Sequence, residues 1–146
     1  RLAAIAALTA AGIPASVMVA PVIPALNDME IERVLAASAA AGAKSAAYVL
    51  LRLPLEIKEL FEEWLQANVP DHARRVLDLV RQTRDGKLYE AEFGKRMTGS
   101  GPVAQLVRQR FKLAVKKLGL NQRSWNLDVT KFRVPPGPGD QLSLGL

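Results

Sequence analysis

Apolar residues follow two kinds of pattern along the first half of the chain. Residues 16–23 and 45–53 are continuous apolar runs of strand length. A strand that is apolar on both faces is typical of the interior of a parallel sheet. The segments around these runs show helical spacing instead, with apolar residues recurring every three or four positions. The order helix, strand, helix, strand, helix predicts a parallel α/β sheet or barrel.

Turn-forming residues mark where the predicted helices begin and end. The first helix, residues 2–11, ends at Gly12. The turn at residues 24–28 precedes the second helix, which Asn27 or Asp28 is expected to cap. The third helix is expected to bury an apolar stripe that comprises Ile57, Leu60, Phe61, Trp64 and Leu65.

The second half of the chain shows helical spacing only. One helix is predicted around residues 73–80 and a longer one from Pro102 to about Leu118. The residues predicted to face inward on the longer helix are Val103, Leu106, Val107, Ala114 and Leu118. Residues 119–146 contain the breaker PPGPGD and are predicted to form an extended tail, which Trp125 would anchor.

The predicted sheet is too small to be stable as it stands, because two strands do not suffice. The chain also opens at Arg1 directly in an apolar helical pattern. Further strands are therefore expected to precede Arg1, so that this chain would be the C-terminal part of a longer protein. Expressed alone, it is expected to be poorly soluble or oligomeric, since its strand edges are open.

Charge is spread unevenly over the chain, whose net charge is +6. Residues 1–70 contain 5 Lys and Arg against 7 Asp and Glu, and residues 71–146 contain 15 against 7. A basic half favours an anionic partner, and nucleic acid is the first candidate. A solvated basic surface explains the same excess.

The composition excludes several kinds of site within this chain. There is no cysteine, which excludes disulfides, thiolate nucleophiles and thiolate metal ligands. The one histidine, His72, cannot form a His-rich metal site. The apolar run at residues 2–26 is broken at Gly12-Ile13-Pro14, which favours helix, turn and strand over a signal peptide or membrane span. The expected location is the cytoplasm, with no membrane partner.

The ends of the two apolar runs are candidate sites, because parallel α/β folds bind ligands at the carboxyl ends of their strands. Free backbone groups at residues 22–28 could bind a ligand, or Asn27 and Asp28 could simply cap the next helix. Arg52 could clamp a carboxylate or phosphate, or it could pair with Glu56. The sequence leaves these alternatives open.

Two basic segments are candidates for contacts with phosphate. Gly-Ser-Gly at residues 99–101 could present backbone N–H groups to an anion, although helix capping is the commoner role of such a loop. On the long helix, basic residues four positions apart form a stripe that could follow a nucleic-acid backbone or face solvent. The residues concerned are Lys95, Arg96 and Ser100 near the loop, and Arg108, Lys112 and Lys116 on the helix.

Three segments of the chain resemble one enzyme family. PVIPALND resembles the turn after the fifth strand of radical SAM enzymes, and LRLPLEIKELFEEWL resembles their sixth strand and its helix. FGKRMTGSGPVAQLVRQRFKLAVKKLGLN is similar to the C-terminal extension of the DNA-repair-photolyase-like (spore photoproduct lyase-related) branch. The resemblance covers nearly the whole chain.

The resemblance implies a fold, cofactors and a chemistry. The fold would be α/β, the C-terminal part of a partial (β/α)6 TIM-like barrel over residues 1–69, with a helical extension over 70–119 and an extended tail over 120–146. The parent enzyme would cleave S-adenosylmethionine reductively on a 4Fe-4S cluster and abstract hydrogen from a substrate, with nucleic acid as the candidate. The cluster cysteines would lie before Arg1, so this chain would have no catalytic or metal-binding residue. The residues given a cofactor-binding role are Val22, Ile23, Pro24, Asn27, Leu51, Arg52 and Leu53.

One departure and two alternatives accompany the resemblance. Ala25 occupies the place of the family's usual glycine, and glycine is favoured where φ is positive or a ligand approaches closely. The first alternative is a non-catalytic α/β module whose basic helical surface binds nucleic acid or a protein. The second is an ordinary barrel hydrolase or lyase.

Overall fold

The computed structural model describes residues 1–122, 129–135, 137 and 139. In chain order its elements are α1 (Leu2–Ala10), β1 (Ser16–Val22), a 3-10 turn (Asp28–Glu30), α2 (Ile31–Ala40), β2 (Ser45–Leu50), α3 (Ile57–Asn68), α4 (Pro70–Gln82), α5 (Gly101–Lys117) and a second 3-10 turn (Val129–Lys131). Helices and parallel strands occur together, which confirms the predicted α/β class. Most of the predicted tail, including Trp125, lies outside the described residues.

The two strands are adjacent and parallel, as predicted. Ser16 pairs with Ser45, and the register continues to Val19 opposite Tyr48 before it shifts. The shift includes Pro21, which has no N–H to donate to the ladder. Helix α2 connects the strands, so β1, α2 and β2 form one βαβ unit.

Helices α2 and α5 cover one face of this sheet. Val17 and Val19 of β1 and Tyr48 of β2 pack there against a buried cluster. That cluster consists of Val22, Ile31, Leu35, Leu50, Ala104, Val107, Phe111, Ala114 and Leu120. The opposite face is uncovered among the described residues, and Met18 on it is 59% exposed. The expectation that both strand faces are buried is therefore met on one face only.

A second buried cluster joins α3 and α4 to the segments that follow the strands. It consists of Ile23, Leu53, Leu65, Ala73, Val76, Leu77 and Val80. Of the predicted stripe on α3, Leu65 is buried and Phe61 packs beside the cluster, whereas Ile57, Leu60 and Trp64 are exposed. The prediction for these three residues was wrong, because α4 covers only a narrow part of α3.

Helix α1 has no buried side, and one burial prediction for α5 fails. Helix α1 buries none of its residues, and Leu2 and Leu8 are exposed, because its apolar residues surround it without forming one face. Leu106 of α5 is also exposed, since the buried stripe of that helix includes Ala104, Val107 and, farther along, Ala114. Among the described residues, no helix has the length and apolar character needed to cross a membrane.

Candidate functional site at the strand ends

The turn after β1 is held by its own side chains. Asn27 Oδ1 accepts the N–H of Ile23 at 2.7 Å, and Asn27 Nδ2 donates to the Pro21 carbonyl at 3.0 Å. Asp28 Oδ1 accepts the N–H of Ala25 at 2.7 Å. Asn27 is the N-cap residue of the 3-10 turn that leads into α2, but neither side chain makes the predicted cap hydrogen bond. Both side chains instead fold back on the turn and use backbone groups that a ligand would need.

The conformation of Ala25 is unusual for an alanine. Its φ is +61°, in the left-handed region that glycine adopts most readily. The N–H groups of Leu26 and Asn27 both donate to the Ile23 carbonyl, at 3.1 Å each, which fixes the backbone in this tight turn. The position where the resemblance leads one to expect glycine therefore has a glycine-like backbone here.

The side chains to which the resemblance gives a role in binding S-adenosylmethionine differ in their exposure to solvent. Val22 is 1% exposed, and Ile23, Pro24 and Leu53 are also buried in this chain's own core. Leu51 is half-buried beside the second cluster.

Arg52 lies two residues after the end of β2 and is half-buried. Its guanidinium makes two long contacts, to Tyr89 Oη at 3.4 Å and to Met97 Sδ at 3.9 Å. It lies 6.0 Å from the centroid of the Tyr89 ring. Its Nε is buried and has no hydrogen-bond partner. The alternative pairing with Glu56 does not form among the described ion pairs.

Arg84 is the functional candidate that the sequence did not reveal. It is 1% exposed, and its guanidinium donates to the Lys95 carbonyl at 3.0 Å and to the Leu51 carbonyl at 2.9 Å. Burial lowers the pKa of Arg84, and the neighbouring charge of Arg52 lowers it further. Because Arg84 stands in the turn sequence RDGK, its residue type and position suggested only an exposed side chain.

The Gly-Ser-Gly loop packs against the end of α4 instead of standing open. A Cβ on Gly99 would lie 2.8 Å from the Thr83 carbonyl oxygen, and one on Gly101 would lie 2.7 Å from that of Gln82. The Ser100 N–H donates to the Thr83 carbonyl, and the Ser100 hydroxyl lies 2.7 Å from Asp85 Oδ1. Ser100 is the N-cap residue of α5, as the capping alternative expects, but its side chain makes no cap hydrogen bond and binds Asp85 instead.

The other predicted phosphate contacts have partners within the chain. Lys95 pairs with Glu92 at 2.8 Å, a hydrogen bond that raises the pKa of Lys95. The Arg96 guanidinium lies 5.4 Å from the centroid of the Phe93 ring. Lys95 and Arg96 therefore contact residues of their own segment, Glu92 and Phe93.

The three residues of the basic stripe on α5, Arg108, Lys112 and Lys116, differ in whether they have a partner within the chain. Arg108 makes a 3.4 Å hydrogen bond to the Gly99 carbonyl, whereas Lys112 and Lys116 are exposed and belong to none of the ion pairs among the described residues. Of the three residues in this stripe, Lys112 and Lys116 remain available to an external anion.

Arg110 connects α5 to the turn after β1. It lies 3.0 Å from Asp28 and 2.7 Å from Glu32. Its hydrogen bond lowers the pKa of Glu32. Since Asp28 also accepts the Ala25 N–H, this network supports the shape of the turn from the side of α5.

The structure brings two of the predicted sites together. The Leu50 N–H donates to the Met97 carbonyl at 2.9 Å, so the segment that contains Lys95 and Arg96 closes over the end of β2 beside Arg52. No group of three or more potential metal ligands occurs among the described residues. No protein-family model, curated protein or solved structure matches the chain.

Proposed function

We propose that this chain forms the last two strands of a partial (β/α)6 barrel in a radical SAM enzyme. The observation that carries the proposal is the parallel βαβ unit with helices on one face of the sheet only. In the wall of a (β/α) barrel, helices cover the outer face and the inner face surrounds the interior. The uncovered face with Met18 suits that inner face.

The backbone of Ala25 supports the same proposal. A turn of this shape needs a positive φ, which explains why relatives in such a family would use glycine there. Here alanine takes the same conformation, at a cost of about 1 kcal/mol. The substitution therefore preserves the shape of the turn after β1.

The iron-sulfur cluster does not fit this chain. Its ligands are cysteine thiolates, and the 146 residues contain no cysteine. In this proposal the cluster ligands belong to a segment outside the chain. In this proposal the protein acts in the cytoplasm.

The residues at the strand ends do not fit a direct side-chain contact with the adenosyl group. Val22, Ile23 and Leu53 are buried in the chain's own core, and the turn amides already have acceptors. The uncovered face of the sheet would line the barrel interior. This face includes Met18 of β1 and Ala47 of β2, which pair opposite one another and are both exposed.

The first test is the coding sequence upstream of Arg1. An in-frame CxxxCxxC within about 100–200 residues, roughly one more domain of chain, is the expected result. The longer protein should then cleave S-adenosylmethionine reductively, and Met18→Lys should reduce this activity while Met29→Lys, outside the sheet, should not. An upstream sequence without cysteines would overturn the proposal.

Nucleic acid is the proposed substrate, and the exposed pair Lys112 and Lys116 on α5 favours it over a neutral substrate. Binding to duplex DNA should weaken with salt, and the double variant Lys112→Gln/Lys116→Gln should reduce the slope of log K against log salt by about 1.8, at about 0.9 per phosphate contact. Arg74→Gln on α4 is the control. An unchanged slope would contradict this substrate and also the alternative of a module that binds nucleic acid through these two lysines.

A further inference from the structure

Two arginines from distant parts of the sequence converge at the carboxyl end of β2. Arg52 lies two residues after the strand, and Arg84 reaches the same point from the turn after α4 by donating to the Leu51 carbonyl at 2.9 Å. Both also contact the 89–97 segment, Arg52 through Tyr89 and Arg84 through the Lys95 carbonyl. We refer to Arg52 and Arg84 as the strand-end arginine pair.

The strand-end arginine pair has no carboxylate partner among the described residues. Neither arginine belongs to any of the ion pairs there. Glu90 exerts an attraction on Arg84, but its Oε1 accepts the Glu92 N–H at 2.9 Å. Carbonyl oxygens satisfy some N–H groups of Arg84 without neutralising its charge, and a buried charge is costly unless it is paired.

Donors remain unused at this point. The Nε atoms of Arg52 and Arg84 are both buried without a hydrogen-bond partner. The two contacts of the Arg52 guanidinium, at 3.4 and 3.9 Å, are long and leave its donors open to a better acceptor. Arg52 is half-buried, so part of its side chain is exposed to solvent, whereas Arg84 is 1% exposed.

We propose that the strand-end arginine pair binds the phosphate group of a phosphate monoester. A phosphate monoester carries a charge of about −1.5 to −2 near neutral pH, which matches two guanidinium groups better than one carboxylate does. The carboxyl end of a parallel strand is also where α/β folds bind ligands. This inference rests on the arginine contacts alone and does not depend on the radical SAM proposal.

The test is calorimetric titration of the 146-residue chain with inorganic phosphate, and separately with acetate, at constant ionic strength. Phosphate should bind saturably and acetate should not. Arg52→Gln should weaken phosphate binding at least about tenfold, the loss expected for a hydrogen bond between charged groups. Arg74→Gln, which removes the same charge from an exposed position on α4, should change affinity less than about twofold, because solvent screens it.

Several results would overturn the proposal. They are an absence of phosphate binding, equal binding of acetate, and equal losses in Arg52→Gln and Arg74→Gln. If Arg52→Gln does not fold, Arg52→Lys replaces it, since lysine keeps the charge and lacks the planar fork. That variant should weaken phosphate binding about threefold, and unchanged affinity would count against the site.

Discussion

Individual polar residues determine the shape of both strand ends by bonding to backbone groups. Asn27 and Asp28 hold the turn after β1, and Arg84 holds the segment after β2. Strand β2 ends at Leu50, earlier than predicted, because β1 ends at Val22 opposite it, and the next carbonyl, that of Leu51, accepts a hydrogen bond from Arg84. The same residues therefore define both the fold and the candidate site.

Asn27→Ala is expected to destabilise the protein by about 2 kcal/mol, at about 1 kcal/mol for each of two lost hydrogen bonds. Asn68→Ala is the matched control, because Asn68 makes one exposed bond, from Nδ2 to the Trp64 carbonyl at 2.9 Å. Its loss should stay below about 1 kcal/mol. Urea denaturation measures both, and equal losses would contradict the role given to Asn27.

Gly99→Ala tests the close packing of the Gly-Ser-Gly loop. Gly99 has φ +68° with Thr83 and Leu50 atoms within 3.0 Å of a Cβ, whereas Gly86 has φ +86° with nothing within 4 Å. Gly86→Ala should cost about 1 kcal/mol from backbone strain alone. Gly99→Ala should cost about 3 kcal/mol, since overpacking adds to the strain. If denaturation gave the same loss for both, the loop would not be tightly packed.

At the scale of elements, α5 is the helix that links the two halves of the chain. Its buried side completes the core over the sheet, and Arg110 on its flank joins it to the turn after β1. Residues 28 and 110 are far apart in sequence, so this contact depends on the docking of α5 onto α2. The stability of the turn and of the helix should therefore change together.

The contacts of Arg110 with Asp28 and Glu32 predict how the stability of the protein changes at acidic pH. The pKa of Glu32 is lowered from 4.5, chiefly by the hydrogen bond from Arg110. A carboxylate whose pKa is depressed on folding stabilises the fold above its unfolded pKa, and this contribution is lost as the pH falls through the folded value. Below about pH 4.5 the wild-type protein should therefore lose stability more steeply than Arg110→Gln.

Denaturation midpoints measured from neutral pH to about pH 3 test this prediction. At neutral pH, Arg110→Gln should lose about 2 kcal/mol, the contribution of a hydrogen bond to a charged group. Arg33→Gln breaks only an exposed pair with Glu30 and should keep the acid dependence of the wild-type protein. Parallel pH profiles for the wild-type protein and Arg110→Gln would contradict the prediction.

At the scale of the whole molecule, the uncovered sheet face dominates the behaviour expected of the isolated chain. Parallel sheets are normally covered on both faces, and open strand edges pair readily with other chains. The chain is therefore expected to associate with itself in solution.

Met18→Lys should reduce this association, because it places a charge on the uncovered face. Met29→Lys is the matched control, since Met29 is 69% exposed but lies outside the sheet. Sedimentation velocity over a range of concentrations measures the effect. A wild-type chain that is monomeric and unfolds cooperatively would contradict the expectation.

The sequence by itself determined the α/β class, the parallel pair and the approximate helix positions. These follow from hydrophobic spacing and from residues such as Gly12 and Pro102 that end or begin a helix, signals that act within a few positions of the chain. Arg52 was also identified as a candidate, since an arginine that ends an apolar run is unusual.

Only the tertiary structure decided which apolar faces are covered and which polar groups meet. Trp64 and Leu106 match helical spacing but are exposed, because burial depends on where another helix docks. Arg84 is buried because it bonds to a carbonyl 33 positions away, at Leu51, and no local pattern encodes that contact. Spacing along the chain specifies elements, whereas the site arises from contacts between residues that are distant in sequence.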